Sequence, residues 1–93
     1  MRAIFHLEAD NDFIRGLQHY AEPGHPPELS QRFYRHINTL VAEIEARPGL
    51  FRVYRPPHAR RHFRRPFPYA VVCVVKPDHI WVLAVMHFKQ PPS

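Results

Sequence analysis

Six arginines and two histidines fall within the fourteen residues from Arg52 to Arg65: Arg52, Arg55, His58, Arg60, Arg61, His62, Arg64 and Arg65. Arginine at this density, in place of lysine, points to recognition of phosphate or carboxylate. Its planar guanidinium binds either group with two parallel hydrogen bonds and stacks on bases or aromatic rings. If residues 59–65 form a strand, alternation puts Arg61, Phe63 and Arg65 on one face and Arg60, His62 and Arg64 on the other. Phe63 marks the face expected to meet the core, so Arg60, His62 and Arg64 are expected to form a solvent-facing row. His58 and His62 are spaced for one helix face, but the segment reads as extended and has no cysteine or carboxylate nearby. No metal site and no cofactor are expected. His87 is the other candidate for chemistry. It could move protons in a phosphodiester reaction while Arg61 and Arg65 stabilise developing charge. No Asp or Glu lies near it in sequence as a second catalytic group, so the favoured reading is a structural histidine at a strand end.

These groups need elements to hold them. Tyr69–Lys76 and Ile80–Phe88 are apolar runs rich in Val, Ile and aromatics, which suit a pleated, largely buried surface. Lys76-Pro77-Asp78-His79 between them reads as a tight turn, with proline where its fixed φ is already correct. With the arginine-rich strand 59–65 ahead of a Pro-Phe-Pro corner, the C-terminal third is expected to be a three-strand antiparallel meander. Upstream, residues 3–6 read as a brief first strand. Phe13, Leu17 and Tyr20 or Ala21 recur at helical spacing, predicting a helix from Glu8 to Glu22 that Gly16 should weaken. Pro23-Gly24-His25-Pro26-Pro27 breaks the chain. Leu29, Phe33, Ile37, Leu40, Val41 and Ile44 then form the stripe of a second helix ending near Arg47, where Pro48-Gly49 follows. Residues 50–55 read as a short extended or looped segment, because the Pro56-Pro57 pair bars a central strand. The first strand is expected beside the meander, where a helical crossover allows it to run parallel to one member. The order strand, helix, helix, strand, strand, strand predicts an α+β fold, a helical hairpin packed on a small antiparallel sheet in a single domain spanning residues 1–93.

Charge is segregated along the chain. Residues 1–50 carry five Lys/Arg and seven Asp/Glu, whereas residues 51–93 carry eight Lys/Arg and one Asp/Glu. The net charge of +5 therefore collects in the C-terminal half and favours polyanions or an acidic partner. The lone cysteine, Cys73, excludes an intramolecular disulfide and reads as a small buried hydrophobe. Met1-Arg2-Ala3 leads into a charged region without the apolar stretch of a secretory signal, and the apolar runs are too short to span a bilayer. A soluble, cytoplasmic protein without membrane contact is expected.

Taken together these residues resemble the ParE/RelE superfamily of type II toxin–antitoxin toxins, some of them known as plasmid stabilisation proteins. The element order matches. Arg60-Arg61 followed by Arg65-Pro66-Phe67-Pro68-Tyr69 is similar to the family's arginine-rich strand leading to Arg-Phe-Pro-Tyr. Ile80-Trp81-Val82-Leu83-Ala84-Val85-Met86-His87 is similar to its closing Val-Leu-Ala-Val-x-His, with Lys89 and Pro91 where a basic residue and a proline usually follow. The resemblance implies a toxin neutralised by a cognate antitoxin protein. ParE-like members inhibit DNA gyrase without being nucleases; RelE-like members cut mRNA on the ribosome. The chain has no Glu beyond Glu45 and no Tyr beyond Tyr69, and Phe88 stands where some nuclease relatives carry a catalytic hydroxyl. The ParE-like, non-enzymatic reading is therefore favoured, with Arg60, His62, Arg64, Tyr69 and Lys89 as target-binding residues and Phe13, Leu17, Phe33 and Ile37 as antitoxin-binding ones. The alternatives are a RelE-like endoribonuclease using Arg61, Arg65 and His87, and a non-toxic relative that only binds its partner.

Overall fold

In the computed structural model, the described residues are 1–49, 51–55 (backbone alone for 52–55) and 59–88. The chain runs β1 (Ala3–Phe5), α1 (Leu7–Tyr20), α2 (Leu29–Ala46), β2 (Arg52–Arg55), β3 (Ala59–His62), β4 (Tyr69–Val75) and β5 (Ile80–His87). The strands form one sheet in the order β1-β5-β4-β3-β2. β1 lies parallel to β5, aligning Ala3 with Ile80 and Phe5 with Val82. The remaining neighbours are antiparallel. A strand followed by a helical crossover and a parallel return is the expected route for β1, since antiparallel neighbours alone can be joined by a tight turn.

The meander has one strand more than predicted. Residues 52–55 pair with β3, through an irregular register between Val53 and Arg55. The edge position reconciles this with the sequence: an edge strand feeds a ladder on one side only, so nearby prolines do not forbid it. Pro56 and Pro57 themselves lie outside the described residues.

Both helices pack on one face of the sheet. Their stripes meet the inward residues of β4 and β5, giving a core of Ala9, Phe33, Ile37, Leu40 and Ile44 against Val71, Cys73, Ile80, Val82 and Val85. Phe33 is the hub. Its ring lies edge-on to Phe13 (5.9 Å), Phe67 (5.3 Å) and Tyr69 (4.8 Å), and tilted to Tyr20 at 5.0 Å. Such aromatic pairs contribute about 0.5–1.5 kcal/mol each beyond area burial. Gly16 explains the closeness of the helices: a Cβ there would stand 2.7 Å from Phe33 Cε2. The glycine that weakens α1 locally is what lets α2 approach. Gly24, in the link between helices, adopts φ +100°, which side-chain-bearing residues avoid.

A bulge shapes β5. The register with β4 slips between Val72 and Cys73, leaving Leu83 as the extra residue between Val82 and Ala84. Ile80 and Val82 point inward before it, and Val85 is the buried residue after it. The bulge thereby returns His87, paired with buried Tyr69, to the helix side of the sheet.

Candidate functional site

The face assignment predicted for the arginine-rich strand is reversed. His62 is buried and Phe63 is exposed. His62 Nε2 lies 2.9 Å from Glu43 Oε1 on α2, and its ring lies tilted against Phe51 at 4.0 Å. Arg64 Nε donates to the same Oε1 at 2.9 Å while its Nη2 lies 2.8 Å from Oε2, a two-pronged pair. Arg60 Nη1 donates to the Phe51 carbonyl at 2.8 Å. Arg60, His62 and Arg64 therefore do not form a free solvent-facing row; they fasten β3 to α2 and to the residue ahead of β2. The reason lies in a carboxylate the local sequence did not reveal. Glu43 sits on α2 opposite this strand, and a buried histidine with a carboxylate partner is cheaper to place inside than an unpaired polar group. The Arg64 and His62 bonds hold the Glu43 carboxyl below its ordinary range. Phe63 instead meets Phe88 edge-on at 4.6 Å on the outer face.

Arg61 and His87 are placed apart. Arg61 aligns with Val72 on the outer face, whereas His87 aligns with Tyr69 on the inner face. Arg65 is exposed in the turn after β3, where its bond to Pro66 is cis. The structure thus does not gather Arg61, Arg65 and His87 as one inward constellation. Tyr69 is only 8% exposed, its ring belongs to the aromatic core, and burial raises its hydroxyl pKa. Lys89 lies outside the described residues. On the hairpin, Phe33 and Ile37 have no exposed surface and so cannot touch a partner on the folded chain; Phe13 and Leu17 are half-buried against the core. The exposed apolar side chains of the hairpin are Leu7, Ile14 and Tyr34, and the Tyr34 ring stacks on Phe13 at 5.7 Å.

His87 has company that the sequence did not suggest. An open cleft of about 440 Å³ lies between α1 and the ends of β4 and β5, lined by Asp12, Arg15, Gly16, His19, Tyr69, Val85 and His87. The His87 ring stands edge-on to Tyr69 at 5.0 Å. Asp12 Oδ2 accepts from the Val85 backbone N–H at 3.1 Å, and Arg15 pairs with Oδ1. Two imidazoles, a phenol, a carboxylate and a guanidinium around one cleft could exchange protons and hold an anion. The signal was present: Asp12, Arg15, Gly16 and His19 share one helical stripe. What sequence alone lacked was the knowledge that this stripe faces the end of β5. Among the described residues no group of three His, Cys, Asp or Glu side chains is placed to hold a metal ion.

With this geometry fixed, comparison with known proteins bears on the fold. No protein-family model matches the sequence, and no curated protein matches it. A solved structure does: the chromosomal ParDE TA system from P. aeruginosa, at TM-score 0.82 and 21% identity, covering 96% of this chain and 97% of that one. The fold is ParE-like. At this identity the likeness rests on backbone path, over nearly the whole length of both chains. None of the described helices is long and apolar enough to cross a membrane.

Proposed function

We propose that this chain is the toxin component of a bacterial type II toxin–antitoxin module. In this reading it is ParE-like and non-enzymatic, acts on DNA gyrase in the cytoplasm, and is neutralised by a cognate antitoxin. The observation that carries the proposal is the superposition of nearly the whole chain on a structure from a ParDE TA system. The opposite orientations of Arg61 and His87 favour a binding protein over a nuclease, because catalysis needs its groups converging within hydrogen-bond reach of one reacting centre. Leu7, Ile14 and Tyr34 replace Phe33 and Ile37 as the residues of the hairpin available to an antitoxin. Controlled induction in a bacterium should arrest growth with filamentation and DNA damage, and co-expression of a cognate antitoxin, to be sought as a small acidic reading frame beside the gene, should restore growth. Unhindered growth would leave only a partner-binding relative.

A second reading, a RelE-like ribosome-dependent mRNA endonuclease, is favoured by the cleft that joins His87 to His19, Tyr69 and Asp12. Replacing His87→Gln distinguishes the two. Toxicity should survive nearly unchanged if gyrase is the target. Loss of toxicity together with loss of mRNA cleavage would assign the nuclease.

A further inference from the structure

A second groove, of about 290 Å³, lies between α2 and the turn after β3. Its lining is Arg32, Arg35, His36, Thr39, Pro66 and Phe67. Arg32 and Arg35 are exposed, and neither has a carboxylate partner among the described residues. Arg65, exposed, immediately precedes the lining residue Pro66 in the chain. The carboxylate further along the same stripe of α2, Glu43, is already taken by Arg64 and His62. A protein of net charge +5 thus keeps two guanidiniums without a carboxylate partner among the described residues side by side over a recess, while Glu43 further along that stripe is occupied.

We propose that this groove binds the phosphate backbone of a nucleic-acid strand, with Arg32 and Arg35 each holding a phosphate and Arg65 extending the track. Arg32 and Arg35 are one helical turn apart on the same face, so their forks can engage successive phosphates. An acidic protein segment fits less well. Peptide grooves gain affinity from apolar pockets for anchoring side chains. The apolar ring here, Phe67, is 7% exposed and already packed into the core. The groove offers charge without an anchor, which suits a sequence-independent backbone contact. This goes beyond the gyrase reading and holds whichever target that experiment assigns.

The test is fluorescence anisotropy with a labelled mixed-sequence DNA duplex, and with the same sequence as a single strand, across a salt titration. The wild type is compared with Arg32→Gln/Arg35→Gln and with a control of equal charge loss elsewhere, Arg2→Gln/Arg47→Gln. The groove variant should weaken binding about tenfold and flatten the log–log salt slope by about 2, while the control moves both far less. All four arginines are exposed and outside the core, so circular dichroism melts should show both variants folded. Three results would overturn the proposal: equal losses in the two variants, which would mean diffuse net charge; no binding of either nucleic acid by the wild type; or a polyglutamate peptide that binds more tightly and depends on the same two arginines.

Discussion

At the scale of single residues, the side chains that look most alike in sequence have the most different environments. Of the arginines in the basic block, Arg64 is tied to Glu43, Arg60 to a backbone carbonyl, and Arg65 stands in solvent. Glu43 is the residue on which this sorting depends. Glu43→Ala would leave His62 buried without its partner and should destabilise the fold by about 1–3 kcal/mol, read from chemical denaturation. Gly16 makes a sharper case, because propensity and packing disagree in sign. Alanine is about 1 kcal/mol better than glycine in a helix interior. Yet its methyl would meet the Phe33 ring at 2.7 Å, and Phe33, wholly buried, has nowhere to go. Gly16→Ala should therefore lower stability by about 1–3 kcal/mol, the usual cost of overpacking; a raised melting temperature would show that α2 can back away. Cys73 is the quietest group. Burial pushes its thiol up to about 11, so in the native protein it should resist thiol-specific reagents at neutral pH and react only once denatured.

Among the elements, those fixed by periodicity were legible and those fixed by partners were not. The helical stripes of α1 and α2 follow from residue spacing, and the observed bounds differ from the predicted ones by two residues or fewer at each end. His6 caps α1 by accepting from the Glu8 N–H at 3.2 Å, a role its residue type does not advertise. β3 ends at His62, not Arg65, because the chain must already turn to insert Phe67 and Tyr69 into the aromatic core. Its inward face differs from the one hydrophobicity indicates for a physical reason. On a strand with a single aromatic among charges, hydrophobicity points one way, but Glu43 across the interface makes the polar side chains the better inward set. The bulge at Leu83 was equally invisible, since a run of apolar residues shows no break where the pleat slips. It is held partly by Asp12, whose carboxylate accepts from Val85 N–H. Asp12→Ala should cost about 1–3 kcal/mol by orphaning that donor. It should also alter the His87 ring environment, visible as a shifted histidine resonance by NMR.

For the whole molecule, the acid side is where stability should fail first. Burial lowers the His36 pKa, while hydrogen bonds from Arg64 and His62 lower that of Glu43. In both cases the unfolded chain binds protons more readily than the folded one, so stability falls as pH falls. The His36 contribution should begin to be lost below about 6.5, the ordinary histidine value, and that of Glu43 below about 4.3 and onward through its depressed folded value. Melting temperature against pH should thus decline in two stages, and His36→Leu should flatten the upper stage alone.

The sequence by itself determined the order of every element except the edge strand β2, the α+β class, the apolar strands β4 and β5, and the excess of positive charge in the second half. Each of these follows from local spacing or simple summation along the chain. Which way the arginine-rich strand faces, which arginines remain free, and that His87 shares a cleft with Asp12 and His19 were decided only when distant segments met. Such pairings join residues up to 73 positions apart, and their energies depend on partners that no local pattern encodes.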